Sequence, residues 1–273
     1  MTTTTTKATA TEGKIAVLIS TRNRAYVSAW TRAMVESQTV GRDRLIVIVV
    51  DGSNRRFGPE WWWADYYIHR KNIPLGSSRN LAIERGLATG ARFLALWDDD
   101  DYYTTDHLER MVHGLEENPR YGVAGASMTP LYYLADGMTY VAGPYCENHA
   151  LEPTLVFRDW YLREGHRFLP ETRGLSAEIL EGFATPLLQV WGTIVVMCHG
   201  TNTYDKDQIR ADPGRFRARA ASTVLPEAVV RLLEVEGLVE GHPMRPKETR
   251  LPPLSAHHSS SCGDTEHGLL LSC

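Results

Sequence analysis

The sequence predicts an open α/β sheet, mostly parallel, with helices on both faces. Three observations predict it. Continuous apolar runs bounded by polar residues, "KIAVLIS" (14–20), "RLIVIVVDGS" (44–53) and "ARFLALW" (91–97), read as strands buried on both faces. Segments with helical apolar spacing lie between and after them. The alternation of strand and helix runs from residue 14 to about residue 115, as crossover-connected parallel strands require.

The elements follow in order. After the first strand, Tyr26, Trp30, Ala33, Met34 and Ser37 fall near helical spacing on one side. The second strand ends in Asp51-Gly52-Ser53, and "DYYIHR" (65–70) reads as a short third strand. Ser77 or Ser78 is placed to cap a helix through about Ala88, which Gly90 stops. After the fourth strand, Thr104 or Thr105 is placed to cap a helix with Leu108, Met111, Val112 and Leu115 on its apolar face. Beyond residue 120 the periodicity weakens. "YGVAGASMTPLYYL" and "MTYVAG" suggest a hairpin or short mixed strands, and "TLVFRDWYLREGHRF" begins as a strand and continues as a helix. "LSAEILEGFATPLLQ" reads as helical up to Pro186, "QVWGTIVVMCHG" as a strand, and "LPEAVVRLLEVEGL" (225–238) as a late helix. The Pro- and Ser-rich residues 241–273 read as a poorly ordered extension, and 1–13 as a disordered leader.

Composition narrows the classes. The chain has 273 residues, 43% hydrophobic and 23% charged, with a net charge of -4. That balance makes no global electrostatic case for nucleic-acid binding. No apolar run approaches the roughly 18–20 residues a membrane span needs. Cys146, Cys198, Cys262 and Cys273 form no CxxC pair and no zinc spacing, so reduced thiols in a cytoplasm are expected.

Right-handed crossovers bring the C-terminal ends of parallel strands to one edge, where ligands bind in such sheets. Asn23, Asp51 and Asp98 each sit just past a strand end and are expected to converge there. "FLALWDDDDYY" (93–103) ends an apolar strand with Asp98, Asp99, Asp100 and Asp101. Strand alternation would point Asp98 and Asp100 one way and Asp99 and Asp101 the other. Carboxylates packed so closely repel and raise one another's pKa. A hard divalent cation, Mn²⁺ or Mg²⁺, takes oxygen ligands of this kind and would also hold a phosphate. The competing reading is a solvated acidic turn. Other features have plain readings beside functional ones. Asp51-Gly52 is a common turn pair. Arg79, at a helix start, serves a surface ion pair or a diphosphate. His199 is a structural histidine or a ligand for metal or phosphate. Arg210, Arg215, Arg217 and Arg219 form a solvated face or close over phosphates. "WWWADYY" (61–67) reads as core with one exposed ring.

Taken in order, these pieces resemble the family 2-like group of GT-A glycosyltransferases over roughly residues 14–115. "VLISTRNR" is similar to that family's opening strand into Thr-x-Asn-Arg. "MVESQTVGRDRLIVIVVDGS" resembles its helix end in Gln-Thr and the strand into Asp-Gly-Ser. "NIPLGSSRNLAIERG" resembles its Gly-x-x-x-Arg-Asn helix start, and "FLALWDDDDYY" its Asp-x-Asp metal motif. Two departures stand out. Val50 replaces the first of the family's usual two aspartates before Gly-Ser, leaving Asp51 alone. The run of four aspartates also blurs the Asp-x-Asp register, with Asp98 and Asp100 the first pairing and Asp101 a further candidate.

The resemblance implies a GT-A fold and a metal-dependent inverting transfer of a sugar from a nucleotide-diphosphate sugar, of UDP, GDP or dTDP type, to an acceptor hydroxyl. It implies that Thr21, Asn23, Arg24, Asp51, Arg79, Asp98 and Asp99 bind the nucleotide sugar. Asp100, Asp101 and His199 would hold Mn²⁺ or Mg²⁺, His199 standing in "VMCHGTN", which resembles a later His-Gly-x-Asn segment. Glu178, in "RGLSAEILEGF", would be the catalytic base, with Glu171 and Glu181 as rivals. Residues 14–120 would then form the nucleotide-sugar half and 121–240 the acceptor and catalytic half of one domain. The acceptor is unknown, and the acidic balance weighs against a nucleic acid. Two alternatives remain at this stage. A nucleotidyltransferase would be expected to show a Gly-rich loop and a Lys near the first strand, and residues 15–30 hold neither Lys nor Gly. The other is a non-catalytic sugar- or nucleotide-binding protein.

Overall fold

The computed structural model describes residues 13–144, 150–170, 187–200, 202, 206–212, 214 and 219–221. Its central sheet is built on β1 (Ile15–Thr21), β2 (Leu45–Asp51), β3 (Tyr66–His69) and β4 (Phe93–Asp98), as the apolar runs predict. These four strands are mutually parallel, in the order β4-β1-β2-β3. Three short strands extend the β4 side: β6 (Val123–Gly125), β9 (Val156–Arg158) and β10 (Leu188–Gln189). The seven-stranded order is β10-β6-β9-β4-β1-β2-β3, antiparallel only where β9 meets β4 and β6. A second sheet runs β12-β8-β7-β11-β5, from β5 (Tyr102–Tyr103), β7 (Thr129–Tyr133), β8 (Met138–Ala142), β11 (Ile194–Cys198) and β12 (Arg219–Ala221). The hairpin expected after residue 120 is β7 paired with β8.

Alternation along β1 explains the layers. Ile15, Val17 and Ile19 face one side, where they pack with Trp30 and Met34 of α1 (Ser28–Glu36) and Leu108, Met111, Val112 and Leu115 of α3 (His107–Glu117). Ala16 and Leu18 face the other side, with Ala82 and Ile83 of α2 (Leu75–Ala88) and Tyr161 and Leu162 of α4 (Asp159–Arg163). Gly86 lets α2 lie close on the sheet, because a Cβ there would come within 2.8 Å of Leu94 Cδ2. A short helix, α5 (Asp207–Ala211), follows β11. Among the described residues, no helix is long and apolar enough to cross a membrane.

The predicted serine and threonine caps do not form. The residue before α2 is Pro74, while Ser77 Oγ donates to Pro170 O (2.8 Å) and Ser78 Oγ to Ser20 Oγ (2.9 Å). At α3, Thr104 Oγ1 donates to Asp106 Oδ1 (2.6 Å), and the Leu108 N–H donates instead to Gln38 Oε1 (3.0 Å). Gln38 Nε2 donates to Thr104 O (2.8 Å), so one side chain from the end of α1 serves the start of α3. Tertiary partners have taken over what a local cap would do. The aromatic run divides as expected: Trp61 and Trp63 are buried, and Trp62 is 68% exposed.

Register sets the functional edge. Thr21 lies level with Asp51, Asp51 with His69, and Ser20 with Asp98. Strand ends about 20 to 80 residues apart in sequence therefore meet in one row.

Candidate functional site

The loops leaving β1, β2 and β3 are stitched together by main-chain bonds. Gly52 N donates to Thr21 O (2.9 Å), Arg70 N to Asp51 O (2.9 Å) and Asn72 N to Gly52 O (3.0 Å). Asn23 takes a positive φ of 56°. From there its N–H reaches Ser53 Oγ (2.6 Å), and its side-chain Oδ1 accepts from Asn54 N (3.1 Å). Asp51 is wholly buried. Its Oδ1 accepts from Ser53 N (2.8 Å) and its Oδ2 from the Tyr67 hydroxyl (2.5 Å), so both oxygens brace the turn. His69 Nε2 lies 2.9 Å from Ser53 O.

Beside this rim stands the acidic run. β4 ends at Asp98, and residues 99–101 turn before β5 begins. The turn breaks strand alternation, and that changes the facing predicted from the sequence. Asp98, Asp100 and Asp101 bring one carboxylate oxygen each to within 4.8 Å of one another. Asp99 does not join them. It is fully buried, and its Oδ1 lies 2.9 Å from Arg24 Nη2. Burial pushes its pKa up to about 7 against the pull of Arg24. Asp101 turns inward, where its Oδ1 accepts from Met197 N (2.9 Å). Burial, then the neighbouring Asp100 and Asp98, raise its pKa well above the carboxylate range. Asp100 goes the other way. Burial opposes its charge, but the Arg24 guanidinium and the His199 ring prevail and hold it below the usual range. His199 Nε2 lies 3.0 Å from Asp100 Oδ2. Asn202 fixes the histidine segment, its Oδ1 accepting from His199 N (2.6 Å) and its Nδ2 donating to Met197 O (3.1 Å).

The donor set fits a hard divalent cation. All three converging ligands are oxygens, and Asp101 is a buried carboxylate crowded by two others. Any group that neutralises them stabilises the charged form of all three.

Arg79 is buried, with Nη2 3.2 Å from Asp98 Oδ1 and Nη1 paired with Glu152. Glu152 is the residue that sequence reading missed. It opens the short turn Glu152–Thr154, is itself buried, and has its pKa pushed up to about 7 by burial, against the pull of Arg79. No periodicity or motif marks it, because its partner lies 73 residues earlier. The fold thus gathers Thr21, Asn23, Arg24, Asp51, Arg79, Asp98, Asp99, Asp100, Asp101 and His199 along one edge. Glu178, with Glu171 and Glu181, lies outside the described residues.

The glycosyl transferase family 2 model matches residues 16–132. Among solved structures, the TarS 1–349 fragment of S. aureus superposes with a TM-score of 0.52 at 15% identity, over 68% of this chain and 60% of that one. The same fragment in complex with UDP-GlcNAc gives 0.51 at 14% identity, over 83% and 66%. The mannosyltransferase PcManGT from Pyrobaculum calidifontis, in complex with GDP-Man and Mn²⁺, gives 0.50 at 14% identity, over 83% and 69%. In the first of these superpositions the chain spans 60% of the TarS fragment's length. No protein of curated function matches the chain. The family match opens inside β1 and closes inside β7, on a sheet whose edge gathers Asp51 and the Asp98–Asp101 run, so over these residues the chain is similar to glycosyl transferase family 2.

Proposed function

We propose that the chain is a metal-dependent, inverting glycosyltransferase that moves a sugar from a nucleotide-diphosphate donor to an acceptor hydroxyl. The observation that carries this reading is the convergence of Asp98, Asp100 and Asp101 at the end of β4, next to the braced rim of β1 and β2. TarS in complex with UDP-GlcNAc and PcManGT in complex with GDP-Man and Mn²⁺ share the fold, which supports a UDP- or GDP-type donor and Mn²⁺ or Mg²⁺ as the cation.

Asp98, Asp100 and Asp101 would hold the cation, with His199 orienting Asp100 through its Oδ2 or joining the ligands itself. When bound, the cation offsets the charge that develops on the departing diphosphate. Arg24 and Asp99 form an ion pair behind the cluster that fixes the turn from which it projects. Asp51 shapes the nucleoside turn through Ser53 and Tyr67, and Thr21 and Asn23 line the same rim. Glu178 is the proposed base that takes the acceptor's proton, with Glu171 and Glu181 as rivals. Residues 14–120 would carry the donor and 121–240 the acceptor. We propose a cytoplasmic location for the chain.

The test is release of nucleoside diphosphate from UDP- and GDP-sugars by the full chain, with Mn²⁺ and with chelator. We expect turnover with Mn²⁺ that chelator removes. Turnover that chelator leaves unchanged would rule out the metal-dependent mechanism.

A further inference from the structure

We propose that Glu152 is a positioning residue for the cation site, acting through Arg79 on Asp98. The proposal rests on the metal reading above and names a part of the site that reading does not contain.

Asp98 is the most open member of the acidic cluster, with its side chain 32% exposed. A carboxylate with that freedom has several staggered rotamers available. Among the described residues one hydrogen bond holds this carboxylate, the 3.2 Å bond from Arg79 Nη2 to Asp98 Oδ1. Arg79 is therefore the guide for Asp98, and what holds Arg79 decides where the guide sits. The Arg79 side chain is 4% exposed, on the first turns of α2, with its guanidinium 5.3 Å from the Phe168 ring. Its other arm is gripped by Glu152, whose side chain is 7% exposed. The turn that carries Glu152 is anchored to the strand that carries Asp98: Leu96 N of β4 donates to Leu155 O (2.9 Å), and the Tyr103 hydroxyl of β5, which accepts from Asp98 N (2.8 Å), donates to Pro153 O (3.2 Å). Glu152 is thus held on the same frame as the metal cluster.

Two consequences follow from this geometry. Glu152 fixes the direction of the guanidinium fork, as partners behind a metal ligand commonly do. It also shares the charge of Arg79. Without Glu152, a buried guanidinium would have Asp98 as its main counter-ion and would close on it. The carboxylate meant for the cation would then be taken by a cation of the protein's own.

The probe is Mn²⁺ alone, with free ion read by electron paramagnetic resonance in the presence of the full chain, together with the melting temperature. The Glu152→Gln variant keeps the side chain's shape and its capacity to accept from Arg79, but removes the charge. We expect its Mn²⁺ dissociation constant to rise roughly 10–100-fold. In an Asp98→Asn background the same change should add nothing, because the pathway ends at Asp98. A purely structural role would give the same further loss in both backgrounds and would overturn the proposal. An affinity in Glu152→Gln equal to the parent's would do so too. Should Glu152→Gln not fold, the paired replacement Arg79→Met with Glu152→Leu leaves no buried charge behind. It is expected to fold and to bind Mn²⁺ at least tenfold more weakly, since Asp98 loses its guide, and parental affinity there would overturn the proposal. Asp100→Asn separates the two readings. A parent chain that binds no Mn²⁺ removes the metal site and this inference together. A parent that binds Mn²⁺ through Asp100 but ignores Glu152 removes this inference alone.

Discussion

His107 makes a sharp test of how the core is built. It opens α3 wholly buried, edge-on to Trp97 (ring centroids 5.9 Å) and Tyr103 (4.9 Å). Neither ring nitrogen has a hydrogen-bond partner among the described residues. Burial drives its pKa down to about 3. An unfolded chain binds a proton on histidine below about pH 6.5, and this fold refuses it. Stability is therefore fully present above that pH and falls as pH drops towards 3, by up to about 1.4 kcal/mol per pH unit. Between pH 6.5 and pH 4.5 this single group should remove about 2 kcal/mol. His107→Phe keeps the edge contacts and cannot titrate. The assay is urea unfolding of parent and variant across that pH range, without metal. Other groups titrate in both proteins and cancel in the difference. The expected result is a gap between the two stabilities that widens by about 2 kcal/mol as pH falls. A constant gap would show that His107 takes up its proton in the folded state, and the account of this part of the core would be wrong.

Other outcomes follow from the same structure. Trp61→Ala and Trp63→Ala empty buried sites and should cost about 3–5 kcal/mol each in thermal or urea unfolding, while Trp62→Ala should stay within about 0.5 kcal/mol. Loss of turnover in all three at parental melting temperature would instead make the run an acceptor platform. Glu178→Gln should lower turnover by roughly 10²–10⁴ with donor binding intact, and near-parental turnover alongside a dead Glu171→Gln or Glu181→Gln would move the base to that neighbour. Asp98→Asn should weaken nucleoside diphosphate binding measured with Mn²⁺ and leave any metal-free binding unchanged.

What the sequence made legible follows physical range. β1, β2 and β4 are buried on both faces, so their apolar runs are unbroken and readable without knowing their neighbours. The apolar face of α3 was equally plain, because helical spacing is local. The misread features depend on distant partners. Ser77 and Ser78 looked like caps, yet their hydroxyls are spent on Pro170 and Ser20. The facing of Asp101 was misjudged because strand alternation ends where the strand ends, at Asp98. Glu152 was invisible, since a glutamate in "ALEPT" reads as an ordinary loop residue until the fold lays it against Arg79. Arg24 was seen, but its contacts to Asp99 and Asp100 span 75 residues or more.

The most direct measurement of the central claim is calorimetric titration of UDP, GDP and dTDP into the full chain, with and without Mn²⁺, beside the Asp100→Asn variant. The account predicts that at least one of the three binds with Mn²⁺, loses most of its affinity without it, and does the same in the variant. Equal affinity with and without the cation, or in parent and variant, would contradict it.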